Sequence, residues 1–418
     1  MTLFFKYLFS KLSSLRNIFL FINFLLLFSV FFRLIYNWQY FGHEDYGITE
    51  WLINYQGGFI RRGLPGEILF TIWNKFSLKA NILAILLSAF FYIFLLIYLI
   101  IKTKDKFPIE LIISSVLMGM PIFSQWFVRK DILGIIFLII CLKIFNLKLN
   151  KFSSFIAINL VAILALLSHE AFFFYALIPL IFFYYCQKVQ KKKNKFYINF
   201  ISSVIFFLPS IVIFIFILYK TGNPEVGRII NDSWRNLWIL IEPNHCCVDQ
   251  VAATFKSLEL SLKNEINHNP AYWRHSYLNG LVWILIIFLC YYFLISFKYI
   301  KDANFSNILL FQFLCIFPLF VIGVDWGRWI FYWTTSSVIF YLFNFNLKRV
   351  FFFSYLNKIS NYIVYSKIMT CKKYWILLFF GVPITMHTTL LWHFTSSPIG
   401  KLITIIMKLF GVGLKTHV

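Results

Sequence analysis

Charge is scarce in this chain of 418 residues: 13% are Asp, Glu, Lys or Arg, against roughly a quarter in typical soluble domains. The deficit excludes an ordinary soluble fold, and no segment is both polar and long enough to hold a separate soluble core. A cleavable leader is also lacking. The first apolar run follows Lys6, Lys11 and Arg16 but continues through Arg33 with no small-residue cleavage site, so it reads as a retained signal anchor. The seven cysteines form no disulfide framework, because Cys141, Cys186, Cys290 and Cys315 fall inside apolar runs. Cys246 and Cys247 lie beside His245 in a long polar segment, but one His with two vicinal Cys lacks metal-ligand spacing. Internal repeats are absent too.

What is present is apolar. Hydrophobic residues make up 60% of the chain and aromatics 22%, with a mean hydropathy of +0.77. Runs long enough to cross a bilayer as helices recur from end to end. The pattern predicts an all-α, polytopic transmembrane bundle of about eleven spans, one integral membrane domain over 1–418. The spans are expected at 17–36, 80–101, 109–127, 132–147, 153–168, 171–186, 197–219, 277–297, 306–323, 329–346 and 374–392. A first outer loop covers 37–79, and a long outer loop with amphipathic helices covers 220–276, between spans seven and eight.

The charge pattern orients this bundle. With the N-terminus in the cytoplasm, inner segments hold 22 of the 39 Lys and Arg, in runs such as Lys102, Lys104 and Lys106, and only three acids, Asp105, Glu110 and Asp302. Outer segments hold 14 basic and 13 acidic residues. Positive charge concentrated on one side is the positive-inside signature. The net charge of +23 is therefore a topology signal that anionic lipid head groups satisfy, and no nucleic-acid partner is needed to explain it.

Four polar motifs converge on the outer face in this orientation. The first runs from Phe41-Gly-His-Glu-Asp-Tyr46 to Asn54-Tyr-Gln-Gly-Gly-Phe-Ile-Arg-Arg-Gly-Leu-Pro-Gly-Glu67. Glu44 and Asp45 suit a general base, with Asp45 the first choice. Gly57 and Gly58 would let backbone approach a ligand beside Arg61 and Arg62, and paired arginines suit a diphosphate. A head-group-binding loop with turn glycines is the plain alternative. The second motif is Arg129-Lys-Asp131, where Asp131 either pairs with its basic neighbours or acts directly. The third is Ser168-His-Glu170, costly near membrane depth unless His169 and Glu170 face a cavity or each other. In the fourth, Asp325-Trp-Gly-Arg328, the charged residues either pair across the turn or Arg328 contacts an anionic lipid carrier. The long outer loop is the expected lid or acceptor-recognition element, with Trp234, Tyr272 and Trp273 as sugar-stacking or interface aromatics.

Acids, arginines and aromatics at the edge of a helical bundle suit reaction of an anionic lipid with a polar acceptor. In glycosyl transfer a carboxylate takes the acceptor proton and arginines stabilise the leaving phosphate. The acidic pair Glu44-Asp45 in the first outer loop, the span number and the long later loop resemble the GT-C class of membrane glycosyltransferases. The Phe- and Ile-rich character resembles bacterial O-antigen or capsule repeat-unit polymerases.

The resemblance implies Glu44 and Asp45 near the acceptor, and Arg61, Arg62 and Arg328 on a polyprenyl diphosphate. It implies polymerisation of lipid-linked repeat units at the outer face of the bacterial inner membrane, with polyprenyl-linked saccharides as donor and acceptor and envelope polysaccharide assembly proteins as partners. Arg129 and Lys130 join the expected diphosphate contacts, His169 and Glu170 the expected catalytic set, and Asp131 and Asp325 support them. No metal ligand set is assigned and no cofactor is expected, though a divalent metal stays open. Addition of a single sugar and transport of a polysaccharide or lipid remain as alternatives, as does a structural subunit, which needs no reactive residues.

Overall fold

The computed structural model describes residues 15–36, 46–124, 126, 128–147, 149–191, 196–220, 224–235, 277–296, 303–347, 373–386 and 390–409. All regular structure among them is helical. Helix α1 spans Leu15–Tyr36, α2 Tyr46–Leu52, α3 Gly63–Phe76 and α4 Ala80–Thr103. Two short helices, α5 (Ile109–Ile113) and α6 (Gly119–Phe123), precede α7 (Asp131–Asn146) and α8 (Lys151–Ser168). A π-helical turn at Phe173–Leu177 leads into α9 (Ile178–Lys191). Then come α10 (Phe196–Phe206), α11 (Leu208–Tyr219), α12 (Pro224–Arg235), α13 (Tyr277–Ser296), α14 (Ala303–Ile322) and α15 (Trp326–Leu342). Helices α16 (Lys373–Phe379), α17 (Leu390–Thr395) and α18 (Pro398–Leu409) follow.

Three helices are long and apolar enough to cross a membrane, at Ala80–Thr103, Lys151–Ser168 and Asn304–Ile322. The pair α10 and α11, bent by 61°, makes a fourth if read as one span. The bend falls at Phe207, where Pro209 in the first turn of α11 lacks the N–H that a continuous helix would use. The 24 residues of α4 rise about 36 Å, enough for a hydrocarbon core.

Two expected spans are interrupted. The 109–127 run is split into α5 and α6, because Ser114 leaves the helix with extended backbone and Pro121 lies in the next short helix. In the 374–392 run the helix ends at Phe379; Phe380–Met386 then continues without helix and bonds to the entry of α15, with Gly327 N–H donating to Ile384 O at 3.0 Å and Met386 N–H to Val324 O at 2.8 Å. Irregular backbone of this kind is tolerated at membrane depth only when protein covers it, and Val382, Pro383 and Met386 are buried.

Helix α15 occupies the centre. Every residue from Trp326 to Phe340 is buried, so this stretch shows no exposed face among the described residues. Its run Thr334-Thr-Ser-Ser337 keeps its polarity local: Ser336 donates to Tyr332 O at 2.5 Å and Ser337 to Trp333 O at 2.6 Å. At one end of the bundle Arg16 of α1 pairs with the buried Glu110 of α5. The opposite end carries the polar motifs.

At that end the first loop is a packed layer. Trp51 of α2 donates through Nε1 to Val128 O at 2.5 Å, and α3 packs on α4 and α8. The amphipathic α12, the described part of the long 220–276 segment, lies on this layer. Its Trp234 is fully buried, edge-on to Phe70 and donating to Leu52 O at 2.7 Å, so it is a core side chain and presents no free face for a sugar.

Candidate functional site

Four short segments bring their charges together at this end of the bundle. They are Glu50 with Arg61 and Arg62, the turn Arg129-Lys-Asp131 entering α7, the turn His169-Glu170 leaving α8, and Asp325 with Arg328 at the start of α15. Each segment lies where an apolar helix begins or ends, which is where the bundle can hold polar side chains without placing them in lipid.

Arg62 sits between two acids. Its Nη1 is 3.0 Å from Glu50 Oε1, while Nε reaches Glu170 Oε2 at 2.8 Å and Nη2 reaches Glu170 Oε1 at 2.5 Å. The neighbouring Arg61 Nη1 stands 3.9 Å from the same Glu170 oxygen. Arg62 also adopts left-handed backbone, with φ 64°, a conformation that non-glycine residues hold only when their surroundings fix it. Lys130 supplies part of that restraint, its Nζ donating to Arg62 O at 2.9 Å.

Arg328 is the second hub. Its Nε and Nη2 lie 3.0 and 2.9 Å from Asp131 Oδ1, and its Nη1 lies 2.7 Å from Asp325 Oδ2 and 3.8 Å from Glu50 Oε1. Arg129 Nη1 shares Asp325 Oδ2 at 3.1 Å. Tyr332, one turn along α15, donates its hydroxyl to Asp131 Oδ1 and stacks on Tyr175 of the π-helical turn with centroids 4.1 Å apart. Through Glu50, which faces both Arg62 and Arg328, the two hubs form one network.

His169 approaches Arg328 Nη2 through Nε2 at 3.0 Å. Arginine offers only donors, so Nε2 accepts and the ring proton falls on Nδ1, towards Glu170 Oε2 at 3.8 Å. The Ala171 N–H also approaches Nδ1 at 3.2 Å, and a neutral ring can satisfy only one of the two donors; the charged guanidinium is the stronger. Burial, joined by the Arg62 guanidinium, holds the imidazole well below its usual range and so uncharged. His169 is therefore a neutral acceptor here.

Burial opposes the charge of Glu50, Glu170 and Asp325, and the guanidiniums overcome it. Burial alone would raise the Glu50 carboxyl, yet Arg328, Arg129 and Arg62 hold it down at about 2. Glu170 is likewise held well below the usual range, burial being outweighed first by Arg62 and then by Arg61, and Asp325 is lowered by Arg129 and Arg328 against its burial. Lys130 moves the other way: burial pushes its ammonium down to about 7, against the pull of Glu50.

The network has an interior and a rim. The side chains of Glu50, Asp131 and Arg328 are 0 to 2% exposed, whereas Arg61, Arg62, Arg129, Glu170 and Asp325 are 10 to 21% exposed. Two inner carboxylate oxygens, Glu50 Oε2 and Asp131 Oδ2, have no hydrogen-bond partner among the described residues. The rim therefore presents arginines and two acids to the exterior, held from below by fixed counter-charges.

Most of the residues singled out from sequence meet in this network: Arg61, Arg62, Arg129, Lys130, Asp131, His169, Glu170, Asp325 and Arg328. The glycines do not join them. Gly57 packs against the Val226 backbone of α12, where a Cβ would meet the Val226 carbonyl at 2.8 Å, and Gly58 has φ 101° in a turn closed by its N–H on Tyr55 O at 2.9 Å. They shape the loop and seat α12. Glu44, Asp45, Cys246, Cys247, Tyr272 and Trp273 lie outside the described residues.

Glu50, Tyr332 and Tyr175 belong to the site and escaped the sequence reading. For Glu50 a signal existed, a lone acid within the apolar stretch Tyr46–Ile53 just before the paired arginines. Among the described residues no three His, Cys, Asp or Glu side chains are grouped to hold a metal. No family model, no curated protein and no solved structure matches this chain.

Proposed function

We propose that this protein crosses a bacterial inner membrane about eleven times with its N-terminus in the cytoplasm, and that the arginine-rich end faces outward. There it carries out lipid-linked glycosyl transfer, polymerising repeat units borne on a polyprenyl diphosphate. Addition of one sugar from a polyprenyl-phosphate donor is the nearest variant. The observation that carries this reading is the convergence of four sequence-distant motifs into one arginine–carboxylate network with a partly exposed rim.

The chemistry follows from the rim. Guanidinium forks bind phosphate oxygens through paired hydrogen bonds and keep their charge in a low-dielectric setting, where leaving-group charge most needs stabilising. A carboxylate takes the proton of the attacking hydroxyl as the acceptor oxygen bonds to the anomeric carbon and the diphosphate departs with the bonding electrons. Asp45, with Glu44 beside it, is the preferred base, ahead of Glu170. The acids of the interior, Glu50 and Asp131, face Arg62 and Arg328 through one oxygen each and act as fixed counter-charges.

Transport of a polysaccharide or lipid is the second reading. The interrupted segments at 109–123 and 380–386 favour it, since broken helices line the sites of many transporters.

The deciding experiment compares polysaccharide ladders from cells lacking the protein, complemented with wild type, Asp45→Asn or Arg61→Ala at matched membrane abundance. Loss of long chains with single repeat units persisting on carrier or core supports polymerisation. Incomplete repeat units support single-sugar transfer. An unchanged ladder in the deletion strain rejects both and leaves transport or a structural role.

A further inference from the structure

Glu170 and Glu50 hold the same guanidinium but differ in freedom. Glu50 is fully enclosed on α2, and its bond to Arg62 Nη1 lies inside the network. Glu170 sits at the rim, its side chain 13% exposed, on the turn between α8 and the π-helical turn. One carboxylate receives the Nε and Nη2 edge of Arg62 and faces Arg61 at 3.9 Å. Two parallel N–H bonds from one guanidinium, with a second guanidinium alongside, is also the arrangement in which arginines bind a phosphate.

We propose that Glu170 is a resident stand-in for a ligand phosphate, and that a phosphate or diphosphate ester binds by displacing its carboxylate from the Arg61–Arg62 pair. The inference rests on the lipid-phosphate reading of the site and names the contact that gates it. Arg62 stays aimed while its partner changes, because Nη1 remains on Glu50 and its left-handed peptide remains tied to Lys130 through the carbonyl. A diphosphate brings at least the one negative charge that the carboxylate takes away, so Arg62 keeps a counter-ion throughout. The displaced carboxylate has a short way to water, since it already lies at the rim.

Displacement makes Glu170 a competitor of the ligand. The apparent dissociation constant is the intrinsic one divided by the fraction of molecules in which the seat is free, so removing the acid's charge lowers it. Binding of inorganic pyrophosphate and of farnesyl diphosphate to the full-length protein in nanodiscs, measured by calorimetry, tests this. Glu170→Gln is expected to bind both probes roughly tenfold more tightly than wild type, and Arg61→Ala to bind both more weakly. Equal tightening for the two probes is expected because the change lies at the head group. Tightening for farnesyl diphosphate alone would overturn the proposal.

Binding by folded Glu170→Gln that matches or falls below wild type would overturn it as well. Should that variant fail to fold, Glu170→Asp replaces it; the shorter reach loosens the clamp, so tighter binding is again expected, and unchanged binding counts against the proposal. A wild-type protein that binds neither probe removes the phosphate seat, while glycosyl transfer is judged separately by the polysaccharide ladders.

Discussion

Glu50 Oε1 lies 3.0 Å from Arg62 Nη1 and 3.8 Å from Arg328 Nη1, so one fully buried carboxylate joins guanidiniums 266 positions apart in the chain. Glu50→Ala leaves the buried Arg328 and the mostly buried Arg62 without this counter-charge. Breaking a buried pair from one side costs about 3–5 kcal/mol, because the remaining charge stays desolvated. Thermal unfolding of the purified protein in detergent is expected to show that loss, with a smaller one for Glu50→Gln, which keeps a neutral acceptor for Arg62. An Ala variant as stable as wild type would mean that the two hubs do not depend on each other.

Stability should rise with pH over an acidic range, to which the depressed His169 adds up to its ordinary value of 6.5, and again over an alkaline range. Glu50 titrates at about 2 in the fold against an ordinary value of 4.5, so between these values the unfolded chain binds more protons than the folded one. Its contribution is complete above pH 4.5 and is lost as pH falls towards 2; Glu170, also held low, adds in the same direction. Lys130 titrates at about 7 against 10.5, so from pH 7 to 10.5 the unfolded chain again binds more protons and stability climbs further. Unfolding temperatures measured from pH 3 to 10 should show both rises, and Lys130→Met should flatten the alkaline one while leaving the acidic one in place.

The parts of the site that were legible in sequence are those whose cost is visible in letters. His169-Glu170 and Arg129-Lys-Asp131 interrupt long apolar runs, and such charges need partners wherever they occur near lipid. Tyr332 and Tyr175 were not legible, because in a chain that is 22% aromatic nothing marks two tyrosines that stack under an aspartate. The same holds for the fold. Apolar letters continue across the breaks at 114–118 and 380–386, so hydropathy reads each as one span. The residues that end the helices there, Ser114, Gly381 and Pro383, act through backbone dihedrals and hydrogen bonds, which hydropathy does not record.

Gly134 of α7 faces the Tyr175 hydroxyl so closely that a Cβ would collide with it. Tyr175 cannot retreat without leaving its stack on Tyr332, whose hydroxyl serves Asp131. Gly134→Ala should therefore lower stability by about 1–3 kcal/mol, as overpacking does, despite the higher helix propensity of alanine. Thermal unfolding checks the sign, and Gly134→Ala combined with Tyr175→Phe, which removes the colliding oxygen, should recover much of the loss.

Arg328 and Arg129 share Asp325 Oδ2 yet should respond differently to lysine. Arg328 uses Nε and Nη2 on Asp131, Nη1 on Asp325 and Nη2 on His169, a spread of directions that only a planar guanidinium supplies. A lysine there is a single compact ammonium and cannot serve Asp131 and Asp325 together, so one buried charge-assisted bond is lost, at about 1.5–3 kcal/mol. Arg129 is a rim residue whose contact with Asp325 a point charge can replace. Arg328→Lys is expected to lower the unfolding temperature and, on the polymerase reading proposed above, to shorten the polysaccharide ladder at matched membrane abundance, and Arg129→Lys to leave the unfolding temperature near wild type. Equal tolerance at both positions would show that charge alone matters at Arg328, and that the fork geometry assigned to it has no functional weight.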